Sequence, residues 1–258
     1  MRAVILAAGR GARLGALTAD IPKCLLALSG GLTILDWTLA ALRSHAVPVV
    51  EIVSGHAHDA LARHIGAAWS GTAMDLRLVY NPEYAAADNI KSLGLCRRAL
   101  LGADEVLVVN SDVVFDPGIL ELLVAAPESA LVIDDRKALG GEEMKVTVAG
   151  GGRVTAISKR LDPEAADGEY IGLAKLAPPV SGALLEAIDR HLARGAVNAY
   201  YEDALHDVLS AVRVGTVTAG GRGWVEVDTP DDLAAARRLF QSFHGEGLIA
   251  PDAADKRA

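Results

Sequence analysis

Met1-Arg-Ala-Val-Ile-Leu-Ala-Ala-Gly9-Arg10-Gly11-Ala12-Arg13-Leu14 opens the chain, and Ile21-Pro22-Lys23-Cys24-Leu25-Leu26 follows shortly after. An apolar strand around residues 3–6 runs into small residues and two glycines, with an arginine and a lysine close behind. Small residues let successive backbone N–H groups turn toward one point, and such a concavity attracts anions. Arg13 and Lys23 add full positive charge where the backbone supplies only dipoles. This is the composition of a nucleoside-triphosphate site. A Walker loop would need Gly-Lys followed at once by Ser or Thr, which is absent after Gly9 and Gly11. A dinucleotide fingerprint would need a third small residue where Leu14 stands. Glu51 on the next strand keeps a dinucleotide-dependent oxidoreductase as a lesser alternative.

The segment from Leu6 to Leu14, with Pro22-Lys23, resembles the nucleotidyltransferase family that activates sugar phosphates and small phosphorylated alcohols. Its hallmark is Leu-Ala-Ala-Gly-x-Gly-x-Arg-Leu followed by Pro-Lys. Later markers fall in the expected order as far as about residue 240. The resemblance implies a Rossmann-like three-layer α/β/α fold with a mainly parallel mixed sheet and a small substrate-side β lobe. It also implies that Leu6, Ala7, Ala8, Gly9, Gly11, Arg13 and Lys23 bind the nucleotide, and that Arg13 and Lys23 serve catalysis.

The chain has 258 residues, half of them hydrophobic, and a formal net charge of −8. The acidic balance argues against a nucleic-acid binder, whose footprint would be basic. It leaves a triphosphate site possible, because local Arg and Lys outweigh carboxylates lying beyond a Debye length of about 8 Å. The two cysteines, Cys24 and Cys96, make no metal-ligand spacing and no disulfide framework. No segment reads as a signal peptide or a membrane span. The expectation is a cytoplasmic enzyme with neither nucleic-acid nor membrane partners.

β-branched runs alternate with helical patterns, which predicts a mainly parallel sheet covered by helices. Strands are expected at 4–6, 47–53, 76–80 and 105–109, the last central and buried on both faces. Helices are expected at 34–44, 58–65, 89–101 and 117–123. Beyond residue 125 come short strands at 130–133, 144–148, 154–157, 212–217 and 224–227, with helices at 179–194, 204–210 and 230–240. One domain over 1–243 is expected, with residues 1–125 as its nucleotide-binding half and 126–243 as its acceptor-binding half. A flexible tail is expected from 244 to 258.

Asp112 ends the strand Val108-Val109-Asn110-Ser111-Asp112, and ligands of such sheets bind at the carboxyl ends of parallel strands. By resemblance it holds Mg²⁺ together with Asp228, in Trp224-Val225-Glu226-Val227-Asp228-Thr229-Pro230. A helix cap is the competing reading of Asp228. Glu226 lies on the same strand face, two residues back, as an acceptor contact. Asn89 and Ser92 fall in the first turn of a helix, where they either cap free N–H groups or face the nucleotide.

Asn81-Pro82-x-Tyr84 and Asn89-Ile90-x-Ser92-Leu93 resemble the cytidylyltransferases that act on phosphocholine and on phosphonates such as 2-aminoethylphosphonate. In that light Lys145 and Lys159 are expected at the acceptor's phosphate, and Glu169, Tyr201 and Asp203 around its cation. Solvated loop and ordinary core packing are the plainer readings of these last residues. The activity implied is Mg²⁺-dependent transfer of CMP from CTP to a small phosphorylated alcohol or phosphonate, releasing pyrophosphate. Transfer to a sugar 1-phosphate or inositol phosphate is the nearest alternative, and a nucleotide-binding regulatory protein without turnover a more distant one.

Overall fold

The computed structural model describes residues 1–245; residues 246–258, most of the expected tail, lie outside the described residues. The strands are β1 (Arg2–Ala7), β2 (Ala27–Ser29), β3 (Leu32–Thr33), β4 (Val49–Ser54), β5 (Asp75–Tyr80), β6 (Val106–Asn110), β7 (Val113–Phe115), β8 (Ala130–Asp134), β9 (Lys145–Ala149), β10 (Arg153–Ser158), β11 (Gly168–Leu176), β12 (Gly215–Thr218) and β13 (Trp224–Glu226). The helices are α1 (Ile34–Ser44), α2 (His58–Ala68), α3 (Asn89–Leu95), α4 (Arg97–Leu100), α5 (Pro117–Ala125), α6 (Pro178–Ala193), α7 (Tyr201–Val208) and α8 (Pro230–Gly245).

A nine-stranded sheet runs in the order β10-β9-β11-β6-β1-β4-β5, and β8, joined to β12, also pairs with β11. β1 lies between β4 and β6 with all three parallel, so Leu6 stands opposite both Val53 and Asn110. Successive side chains of a strand point to opposite faces, and β1 uses both. Val4 and Leu6 enter one core with Val106, Val108 and the inner residues of α3, α4, α6 and α7. Ala3, Ile5 and Ala7 enter the other with Leu107, Val109 and residues of α1, α2 and α5. The result is the expected three-layer α/β/α arrangement, with β6 buried in its middle.

Local chemistry explains the sharper boundaries. α1 begins at a capping box: the Asp36 amide donates to Thr33 Oγ1 (3.1 Å) and the Thr33 amide to the Asp36 carboxylate (2.9 Å). The expected helix at 89–101 divides at Cys96, whose ψ of 39° leaves the helical region.

The largest departure from expectation is β11. This nine-residue, fully buried strand runs antiparallel to β6, β8 and β9, and ties the parallel half of the sheet to the later strands. Its sequence, Gly-Glu-Tyr-Ile-Gly-Leu-Ala-Lys-Leu, carries two glycines and two charges, which hide the strand from a hydropathy reading. The buried Lys175 ammonium donates to the carbonyls of Val124 and Ala126. Gly172 has φ +84°, and a Cβ there would lie 2.6 Å from Asn110 Nδ2. Gly172→Ala therefore combines backbone strain with a clash, and should cost about 2 kcal/mol or more. Thermal unfolding checks this; an unchanged Tm would mean that Asn110 yields freely.

A short ribbon positions the site. β13 pairs antiparallel with β7, with Glu226 opposite Val113 and the Val227 amide donating to the Asp112 carbonyl (2.9 Å). Asp112 enters this ribbon and Asp228 leaves it, so both arrive at the same end. A small third core beneath, where the Trp37 ring meets Phe240 edge-on at 5.1 Å, packs α8 onto α1.

Candidate active site

At the carboxyl ends of β1 and β6 the structure opens into a cavity of about 1150 Å³. Leu6, Ala7, Ala8, Gly9, Gly11, Arg13 and Lys23 line one side of it. Gly11 turns the loop in the left-handed region at φ +60°, where a Cβ would stand 3.3 Å from Thr18 Cγ2. A Cβ on Gly9 would meet nothing within 4 Å, so the loop backbone there faces open space.

The opposing charges meet at the ribbon. The Lys23 ammonium donates to Asp112 (2.8 Å) and to Asp228 (2.7 Å), and Arg13 donates to the other Asp228 oxygen at 2.7 Å. Burial by itself would lower the Lys23 pKa, but Asp112 and then Asp228 outweigh it and hold the ammonium above its ordinary value. Asp112, Glu226 and Asp228 bring one carboxylate oxygen each within 4.8 Å of one another. Burial first, then the Asp112 and Asp228 charges, push the Glu226 carboxyl up. Three converging oxygen donors suit a hard divalent cation, so the donor set fits a metal. Glu226, expected at the acceptor, belongs with that trio. The cap of α8 is Thr229, which exchanges hydrogen bonds with Asp232, and the Asp228 carboxylate is left for the site.

Asn89, Ser92 and Lys159 also line the cavity. Asn89 spans two helices: Nδ2 donates to Glu202 and Oδ1 accepts from the Tyr201 amide at 2.7 Å. Burial pushes the Glu202 carboxyl up to about 7. Ser92 accepts from Asn81 Nδ2. The Lys159 ammonium stands 5.0 Å from the Tyr200 ring centre.

Three expected acceptor residues do not reach the cavity. Tyr201 is in the core, its hydroxyl 2.6 Å from that of Tyr170. Asp203 accepts from the Tyr200 amide and faces Arg160 across 3.6 Å. Both follow from α7 starting at Tyr201 rather than 204: the helix turns Tyr201 inward and makes Asp203 a cap. Lys145 is fully buried, and its ammonium donates to the carbonyls of Gly140, Gly141 and Glu143. It clamps a loop and has no reach to phosphate.

Glu169 does line the cavity, only 5% exposed, and it is paired with a residue that sequence reasoning missed. The Lys137 ammonium lies 2.8 Å from Glu169, 3.6 Å from Glu143 and 5.5 Å from the centre of the Trp224 ring. Glu143 is near in sequence, but no local pattern announces Lys137 as a cavity residue, because Glu169 and Trp224 lie 32 and 87 residues away in the chain.

Residues 3–164 match the profile of the MobA-like NTP transferase domain family. The chain is 32% identical to the CMP-5'-(3-aminopropyl)phosphonate synthase of Streptomyces rubellomurinus over 95% of its own length, but spans only 41% of that protein. It is 24% identical to the CTP:phosphoglutamine cytidylyltransferase of Campylobacter jejuni, covering 90% of this chain and 98% of that one. Its fold superposes on CTP:phosphocholine cytidylyltransferase from Streptococcus pneumoniae with a TM-score of 0.72 at 20% identity, over 93% and 98% of the two chains. Among the described residues, no helix is long and apolar enough to cross a membrane.

Proposed function

The chain belongs to the MobA-like NTP transferase domain family, and from that premise we propose that it is a cytidylyltransferase. It transfers CMP from CTP to a small phosphonate or phosphorylated alcohol bearing an amine. The observation that carries this reading is the convergence, in one cavity, of the Gly9–Arg13 loop, Lys23 and the carboxylates of Asp112, Glu226 and Asp228. Similarity to a CMP-5'-(3-aminopropyl)phosphonate synthase and a CTP:phosphoglutamine cytidylyltransferase supports CTP and a nitrogen-bearing acceptor.

In this reading an acceptor phosphonate oxygen forms a bond to the α-phosphorus of CTP. The bond from that phosphorus to the oxygen bridging to the β-phosphorus breaks, and pyrophosphate leaves with that electron pair. The nucleophile is already anionic, so no general base is needed; the chain's task is positioning and charge neutralisation. The loop amides cradle the phosphates, Arg13 takes the departing pyrophosphate, and Lys23 moves from the carboxylates to the α-phosphate. Asn89 and Ser92 stand on the nucleoside side. Asp112, Glu226 and Asp228 would hold Mg²⁺, which would supply positive charge to offset that of the anionic reactants. Residues 1–125 then form the nucleotide half and 126–243 the acceptor half of one domain. Both cysteines are buried and free, which suits a reducing cytoplasm.

The test is pyrophosphate release from each of the four nucleoside triphosphates with 2-aminoethylphosphonate, 3-aminopropylphosphonate, phosphocholine and glucose 1-phosphate. CTP with an amino acceptor should lead the panel by at least about tenfold in kcat/KM. A preference for glucose 1-phosphate with UTP or dTTP would overturn the reading in favour of sugar activation.

A further inference from the structure

Trp224 and Glu226 share one face of β13, and residues two apart on a strand stand about 7 Å from each other. One end of that span belongs to the Asp112–Glu226–Asp228 cluster, where the reacting phosphonate oxygen must lie. The other end is the Trp224 ring, with the Lys137 ammonium over it and Glu169 and Glu143 beside it. We propose that the Trp224 ring, Glu169 and Glu143 form the subsite for the acceptor's ammonium group, and that Lys137 is an internal cation that fills the subsite until the acceptor displaces it. The inference rests on the cytidylyl-transfer reading and deepens it.

Four observations support this assignment. Glu169 is almost wholly removed from solvent, and a buried carboxylate is costly unless paired with a cation. The face of an indole ring attracts a cation in its own right. The arrangement is also held firmly. Asp134 accepts from Trp224 Nε1 at 2.8 Å, which orients the ring, and from the Arg136 amide at 2.9 Å, which sets the turn carrying Lys137. From beneath, the buried Lys145 ammonium binds three carbonyls of the 140–143 segment, and the Glu143 carboxylate accepts from the Gly140 amide. Lys145 is thus a positioning residue for the subsite.

Lys137 differs from a phosphate-binding lysine. Two carboxylates surround its ammonium, so little of its charge is available to an anion. Lys159 makes the contrast: it also lines the cavity, but its ammonium rests on the Tyr200 ring, with the charges of Asp88 and Glu202 nearby. An acceptor with an amine two or three carbons from phosphorus spans the distance from the carboxylate cluster to Trp224. Its ammonium replaces that of Lys137 charge for charge, and the freed lysine swings toward solvent, where its side chain is already 44% exposed.

The experiment compares 2-aminoethylphosphonate with ethylphosphonate, which lacks only the amine, by pyrophosphate release from CTP. Wild type should show a KM at least about tenfold lower for the amino compound, in the range of a desolvated cation–π contact joined to an ion pair. Glu169→Gln should cut the ratio of the two KM values by about the same factor. Lys137→Met should widen it severalfold, because the internal competitor is gone. Equal KM values in wild type, an unaltered ratio in Glu169→Gln, or a KM raised equally for both compounds in Lys137→Met would overturn the subsite while leaving nucleotidyl transfer standing. If CTP yields no pyrophosphate with any acceptor, the cytidylyl-transfer reading falls instead. The subsite is then decided by calorimetric titration of both phosphonates into each protein, where equal affinities overturn it and preferential binding of the amine, weakened in Glu169→Gln, supports it.

Discussion

Lys23→Ala will lower kcat by about 10²–10³, the usual cost of removing one preorganised electrostatic contact from a reacting centre. The side chain is well placed for such an effect. It is mostly buried, bonded to both Asp112 and Asp228, and lines the same cavity as the Gly9–Arg13 loop. Its charge matters most as the α-phosphate reacts, so the loss should fall on kcat more than on the KM for CTP. The two aspartates left behind are about one-fifth exposed, so water compensates them and the fold should persist. Steady-state kinetics with a parallel thermal melt make the measurement. Turnover within threefold of wild type would remove Lys23 from the chemistry.

Asp112→Asn and Asp228→Asn should each reduce Mg²⁺-supported turnover by about 10²-fold or more, since each withdraws a charged oxygen ligand from a three-carboxylate cluster. The metal concentration for half-maximal activity should rise in both variants, and partial recovery with Mn²⁺ is expected. For Asp228 the structure adds a control. The start of α8 is capped by Thr229 and Asp232, so Asp228→Asn should leave helix stability almost untouched. A lowered Tm with ordinary metal dependence would assign Asp228 a structural role and end its candidacy as a ligand.

The first half of the fold was legible because its signals are local. The run from Ala3 to Leu6 ends in small residues and glycines, and Thr33 with Asp36 caps a helix whose apolar spacing is regular. The 34–44 helix therefore has its expected bounds, and the strands at 49–54, 75–80 and 106–110 fall within two residues of expectation. The half beyond residue 125 was harder. β11 is assembled from residues that do not look like a strand, because Gly172 makes room for Asn110 and Lys175 finds carbonyls only after folding. A shift of three residues in the start of α7 was enough to exchange a cavity-facing Tyr201 and Asp203 for a core tyrosine and a helix cap.

The sequence alone was enough for the glycine-rich loop after β1, the parallel strands behind it and the aspartate that follows β6. In each case the information lies within a dozen neighbouring residues and acts through backbone geometry. Tertiary structure alone decided which charges meet. Lys23 reaches Asp112 across 89 residues and Asp228 across 205, because β7 and β13 pair antiparallel. Lys137 finds Glu169 and the Trp224 ring because β8 lies beside β11 and the buried Lys145 holds the intervening loop in place. Electrostatic partners depend on distance in space, and no pattern along the chain records a distance that only the closed sheet creates.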